Sequence, residues 1–228
     1  MDVAADRLVE MLAAIFARPA LPSPDKLEAA FQVVAAYNAT RLKPALVERL
    51  GTIVAGGPFA GMRFLDSVSE GAYIPKLLGA YESELHPLIE AIVLSGYDRV
   101  INIGCAEGYY AVGLAQRTGT MVHAFDIDET ARHLCQALAR LNGVQERVSV
   151  GGRFQPRDFA DYANGKVLVV CDIEGDETAL LDPVSAPVLR GMDMLVEIHL
   201  THGAWTSDSL FPRFDASHSI QELRQKPR

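Results

Sequence analysis

From Val100 to Tyr110 the chain reads Val-Ile-Asn-Ile-Gly-Cys-Ala-Glu-Gly-Tyr-Tyr: a short apolar run that breaks on small residues and reopens at helical spacing. A run of that length bounded by glycine is a strand buried on both faces, and such strands belong to parallel sheets covered by helices. The same alternation recurs down the chain. Strands are predicted over 99–103, 121–125, 147–150, 166–171 and 194–198. Helices are predicted over 109–117 and 130–141, and over 179–189, where Pro183 and Pro187 shorten or break the element. Repeated strand–helix units build an α/β, doubly wound, mostly parallel sheet. In that architecture ligands bind at the carboxyl ends of the strands, where the chain turns into the next helix.

The upstream part has a different texture. Leu8, Met11, Leu12 and Ile15 share one face of a helix predicted over 3–17, which the proline-rich stretch 19–24 ends. Ser23 before Pro24 reads as an N-cap opening a helix over 23–38, and a further helix over 43–50 stops at Gly51. Residues 52–79, with Gly56-Gly57-Pro58 and Gly61, read as hairpin or loop, and 83–94 returns to helix. With 228 residues, this makes one sizeable domain over 81–228 preceded by a helical segment over 1–80, a lid or dimer surface.

Composition narrows the class. The net charge is −8 and no basic stripe appears, which argues against a nucleic-acid partner. Cys105, Cys135 and Cys171 are too few and too far apart for a disulfide framework or a zinc knuckle, so reduced thiols in a cytoplasmic protein are expected. Asp2, Asp6, Arg7 and Glu10 interrupt any signal-peptide core, and no apolar run is long enough to cross a membrane.

The turn Gly104-x-Ala106-x-Gly108 lies where a ligand would approach backbone closely. A dinucleotide fingerprint wants a third glycine where Tyr109 stands, which disfavours a nicotinamide cofactor without excluding it. Asp126 ends the next strand, about 20 residues on, the place of a carboxylate that accepts ribose hydroxyls. Asp128 is the better cap for the following helix and leaves Asp126 free. Asp172 ends a wholly apolar strand, where an ionised group is costly without a task. Glu174 follows it; Glu197, His199 and His202 follow the next strand. Asp176 and Glu177 read as the acidic first turn of a helix. His86, His123 and His133 read as structural, His218 as a loop residue, and Trp205 and Phe211 as either core or the wall of a pocket.

Ile103-Gly-Cys-Ala-Glu-Gly-Tyr-Tyr110, Ala124-Phe-Asp126, Cys171-Asp-Ile-Glu-Gly-Asp-Glu177 and Glu197-Ile-His199 follow one another in order, and together they resemble the FkbM-type class I methyltransferases. The resemblance covers about 79–200 and departs from the family pattern at Asn102 and Cys105. It implies S-adenosylmethionine as cofactor and O-methylation of a hydroxyl on a sugar or other small metabolite. The cofactor would then meet Gly104, Ala106, Glu107, Gly108, Tyr109, Asp126, Ile127, Phe154 and Asp172. The stretch 81–84 reads either as closing over the cofactor or as a solvated helix start. An alcohol acceptor needs its proton removed or its oxygen held by a metal. Two readings stay open: His199 as general base oriented by Asp172 or Glu197, or Asp172, Glu197 and His199 as ligands for Mg²⁺ or Mn²⁺. A non-catalytic binding protein of the same fold is the rival from another class. The fold usually adds an antiparallel pair after the fifth strand, and 216–223 supplies one strand, so the sheet is expected to be truncated or completed by a neighbour.

Overall fold

The computed structural model describes residues 3–69, 72–201 and 203–224. Contacts divide the chain into two compact units, Met1–Thr52 and Ile53–Arg228. The boundary therefore falls earlier than the expected 80: residues 53–80 belong to the sheet unit.

The first unit is two helices, α1 (Val3–Phe16) and α2 (Ser23–Leu50), packed on each other. The two helices expected over 23–50 are one. Nothing between Asn38 and Lys43 breaks it, since Thr40 satisfies its own hydroxyl on the Ala36 carbonyl, and Pro44 removes only one N–H from the ladder. Ser23 does not cap; the capping position falls on Pro22, without a side-chain bond. Gly51, at φ +67, ends the helix by donating to the Val47 carbonyl.

The second unit opens with the segment expected to be loop, and much of it is core. Ile53 and Arg63 form an antiparallel bridge, and Val54, Phe59, Met62 and Phe64 are buried. A short helix, α3 (Tyr73–Leu78), follows; Pro75 inside so brief an apolar stretch hid it from periodicity. Gly79, at φ +70, runs directly over Gly56, and a Cβ there would sit 1.9 Å from the Gly56 carbonyl oxygen. Glycine is required at that crossing.

After a 3₁₀ turn over Ser83–Leu85 come α4 (His86–Leu94), β1 (Arg99–Ile103), α5 (Tyr109–Thr118), β2 (Met121–Phe125), α6 (Glu129–Leu141) and β3 (Val148–Gly151). A 3₁₀ stretch, Pro156–Tyr162, leads to β4 (Val167–Cys171). The expected helix over 179–189 is reduced to α7 (Glu177–Leu180) and a 3₁₀ turn, Pro187–Gly191, as the prolines require. Then come β5 (Asp193–Val196), a two-residue hairpin of β6 (Leu200–Thr201) and β7 (Ala204–Trp205), and α8 (Ser207–Phe214).

The five longer strands form one parallel sheet in the order β3-β2-β1-β4-β5, the doubly wound Rossmann-like arrangement. Every residue of β4 is buried, and Ile101, Val169, Phe159, Leu181, Leu189 and Phe214 lie in the core cluster around it. The strand expected over 216–223 does not form; the described residues there follow α8 without regular structure, and His218 instead donates from Nε2 to the Met192 carbonyl. Among the described residues no helix is long and apolar enough to cross a membrane.

Candidate functional site

Strand register builds the site. Ile103 stands opposite Phe125 on one side and Cys171 on the other, and Cys171 stands opposite Val196. The next residue of each strand therefore falls in one row along the carboxyl edge: Asp126, Gly104, Asp172, Glu197. Neighbouring strands lie about 4.8 Å apart, so side chains on adjacent ends are within reach of one another.

The turn after β1 holds three left-handed residues, Gly104 (φ +76), Ala106 (φ +48) and Gly108 (φ +93). Both glycines are demanded by packing as well as by φ. A Cβ on Gly104 would lie 1.6 Å from the Asp172 carbonyl oxygen, and one on Gly108 would lie 2.7 Å from Cys135 Sγ. Asp126 ties the turn to the end of β2: its Oδ2 accepts from the Ala106 amide and its Oδ1 from the Asp128 amide, both at 2.9 Å. Arg132 clamps the Asp126 and Ile127 carbonyls from α6, while Asp128 caps that helix through the Thr130 amide. The carboxylate is thus fixed in position, and each oxygen keeps a further lone pair.

The other predicted cofactor contacts divide. Ile127 is exposed beside Asp126. Phe154 is buried against Phe125 and Phe159, ring centroids 4.7 and 4.8 Å away, so its ring serves the core. Glu107 points into the protein: its side chain is wholly buried, 2.6 Å from Lys76 Nζ, and it accepts from the Ser69 hydroxyl. Its carboxylate is committed there and only its backbone faces the turn. Tyr109 packs edge-on against Phe59, Phe64 and Tyr81, and burial, with Glu82 nearby, pushes its phenol up to about 12. Tyr110 donates its hydroxyl to Glu82, a non-glycine residue held at φ +45. Tyr81 and Glu82 thus pack against the start of α5. Tyr81, raised by burial and by Glu82, also feels the charges of Glu197 and Asp172.

At the ends of β4 and β5 the acidic side chains converge on one imidazole. His199 is placed by Thr206, whose hydroxyl accepts from the His199 amide and whose own amide donates to the His199 carbonyl. Nδ1 lies 3.1 Å from Glu177 Oε1, and Nε2 lies 3.6 Å from both Asp172 Oδ1 and Glu174 Oε2. Glu177 stands in the first turn of α7, as expected of an acidic helix start. It is also fully buried, and the same oxygen accepts from the Ile173 and Gly175 amides. Asp176 is exposed at the helix start as expected. Burial and the facing Glu197 carboxyl raise Asp172 above the ordinary carboxylate range. Glu197 is raised by desolvation while its bond to Asp172 opposes the rise, so the two carboxyls act as a pair. The residues grouped about a potential cation are Asp172, Glu174 and His199. Glu174 takes the place that the sequence reading had given to Glu197.

His202 lies outside the described residues. Trp205 is half-exposed on the hairpin and Phe211 partly buried on α8. His86 bonds the Tyr81 carbonyl, His123 stacks near Tyr162 and is lowered by burial, and both are structural. Sequence reasoning missed Lys76, which is 31 positions from its partner, and nothing local could have linked the two.

No family model matches the chain. A curated relative, an uncharacterized protein of Haemophilus influenzae, is 28% identical over 90 residues, which is 37% of this chain and 36% of that protein. The match thus spans about a third of that relative's length. Among solved structures, the chain is similar to a SAM-dependent O-methyltransferase from Thermotoga maritima (15% identity, TM-score 0.41, 57% of this chain and 48% of that one). It is also similar to the O-methyltransferase from Bacillus cereus in complex with SAH (13%, TM-score 0.38, 57% and 73%). A SAM-dependent methyltransferase from Geobacter sulfurreducens, in complex with S-adenosyl-L-homocysteine, scores 0.39 at 18% identity over 50% and 47% of the two chains. Scores of this size leave any functional reading to rest on the site itself.

Proposed function

We propose that the chain is an S-adenosylmethionine-dependent methyltransferase of the FkbM type that O-methylates a hydroxyl of a sugar or other small metabolite. The observation that carries this reading is Asp126: a carboxylate fixed by two backbone amides at the end of β2, against a left-handed turn, with an acid–histidine group on the next two strand ends.

The residues fit such a cofactor. Asp126 would accept the ribose hydroxyls with its remaining lone pairs. The backbone of Gly104 to Gly108 and the first amides of α5 would lie along the rest of the molecule, since a helix start leaves its first N–H groups unpaired. Asp172, Glu174 and Glu197, on the neighbouring strand ends, would offer acidic groups to a cationic sulfonium. When bound, the cofactor supplies an electrophilic methyl group. The chain's part is then to hold the acceptor oxygen in line and to take its proton. Asp172, Glu197 and His199 are the groups at hand for that step. Two further statements belong to the same proposal: a cytoplasmic location, in keeping with three buried free thiols, and a homodimer formed through the N-terminal helices.

Calorimetric titration with S-adenosylhomocysteine, and with NAD in parallel, tests the reading. Binding of the former alone is expected. Asp126→Ala should weaken it at least tenfold, because a charged hydrogen-bond acceptor contributes about 1.5–3 kcal/mol. Binding of NAD instead would make the protein an oxidoreductase, and binding of neither would leave a non-catalytic protein of this fold.

A further inference from the structure

The geometry points to a divalent-cation site formed by Asp172, Glu174 and His199, with Glu177 as the residue that positions His199. One donor atom from each of the three lies within 4.8 Å of the other two. His199 Nε2 stands 3.6 Å from Asp172 Oδ1 and 3.6 Å from Glu174 Oε2, too far for hydrogen bonds in either case. Two donors that each bind one ion at about 2.0–2.3 Å stand about 3–3.6 Å apart, so these separations suit a shared ion.

The tautomer of His199 sharpens the point. Glu177 Oε1 already accepts from two backbone amides, so at 3.1 Å it can only accept from Nδ1–H as well. That turns Nε2 toward the oxygens of Asp172 and Glu174, the arrangement of donors that a shared cation requires. Two independent observations agree. Asp172 Oδ1 is closed off from solvent and no donor reaches it, and Glu177, fully buried, has its second oxygen without a partner beside the same imidazole. Among the described residues no lysine or arginine pairs with any of these carboxylates; His199 is their ion-pair partner.

The donor set names the class of ion. Two carboxylates favour hard cations, imidazole favours transition metals, and Mn²⁺ accepts both. A buried carboxylate behind the ligating histidine is the usual outer support of such a site. Placed at the end of β4, beside the acceptor position, the ion would hold a hydroxyl oxygen and lower its pKa. That use rests on the methyltransferase reading; the binding itself does not.

Titration of the full chain with Mn²⁺, followed by the paramagnetic-resonance signal of the free ion, tests the site. One Mn²⁺ per chain is expected. His199→Ala and Glu174→Gln should each weaken binding by about tenfold or more, and Glu177→Gln by about tenfold. Asp176→Asn, on the exposed neighbour outside the set, should change nothing. Glu174 is on the surface, so its variant folds and keeps the test open should the buried ones not. Absence of Mn²⁺ binding at millimolar concentration, or equal affinity in wild type, His199→Ala and Glu174→Gln, overturns the site and leaves a simple imidazolium among carboxylates. S-adenosylhomocysteine titration of the same samples separates the two proposals. Mn²⁺ binding without cofactor binding removes the methyltransferase reading alone, and cofactor binding without Mn²⁺ removes the cation site alone.

Discussion

Lys76 and Glu107 meet 2.6 Å apart with 6% and 0% of their side chains exposed, one on α3 and the other inside the glycine turn. Ser69 adds a donor to the far oxygen of Glu107, and the Lys76 ammonium lies 4.9 Å from the centre of the Tyr81 ring. The pair therefore links the segment before α4 to the turn that Asp126 holds from the other side. Removing one partner of such a pair strands a buried charge at a cost of about 3–5 kcal/mol, whereas replacing both with apolar residues is often close to neutral. Lys76→Met should accordingly lower the urea midpoint sharply, and Lys76→Met with Glu107→Met should recover most of the loss. If the double variant is as unstable as the single one, Ser69 and Tyr81 matter more than the charge pair does. Asp126, Asp172 and His199 were legible in the sequence, because each follows an apolar strand and strand ends are where this fold binds ligands. Glu107 and Glu177 were not. Each sits in a stretch whose local pattern has its own explanation, a cofactor turn or a helix start, and their roles come from partners that the fold brings in from Lys76 and His199.

Among the elements, the five strands and the helices α5 and α6 fall within two residues of their predicted limits, because a parallel core strand and an amphipathic helix each carry their signal within a few residues. The segment 53–79 misled for the opposite reason. Gly56 and Gly57 read as turn chemistry, yet they also let the backbone pass that of Leu78 and Gly79, and the apolar residues of the segment fill the space over α5. Phe59 is the clearest case. A Cβ on Gly113 of α5 would lie 2.5 Å from its ring, and Phe59 also meets Tyr109 and Tyr110 edge-on. Arg117, further along α5, donates to the Pro58 carbonyl and forms a two-pronged pair with Glu90 on α4, which holds the segment in place. Alanine at 113 would be favoured by helix propensity by about 1 kcal/mol, but the overpacking it causes costs about 1–3 kcal/mol. Gly113→Ala is thus expected to destabilise the protein in thermal melts, and Phe59→Leu in the same chain to restore part of the loss. A stabilised Gly113→Ala variant would mean that Phe59 can swing aside, and that the segment is less firmly packed than its burial indicates.

At the scale of the molecule, the Ile53–Arg228 unit contains all five strands of the parallel sheet and every residue placed at the site. The Met1–Thr52 unit has little core of its own. Ile15 and Ala30 are the buried apolar residues among those described, while Val9, Met11, Phe16, Leu27, Phe31 and Leu42 are exposed. Two helices of this size bury too small a share of their surface to be stable without further contacts. Exposed apolar side chains spread over both helices suit pairing with the same helices of a second copy, since a twofold interface reuses one patch on each partner. The two units should then separate in experiment. The full chain is expected to sediment as a dimer and the 53–228 fragment as a folded monomer, with S-adenosylhomocysteine affinity unchanged between them. A fragment that still dimerises would place the interface on the sheet unit, where β5 has an open edge. A monomeric, folded fragment that has lost cofactor affinity would instead give the first 52 residues a part in the site, and turn the dimer surface into a lid.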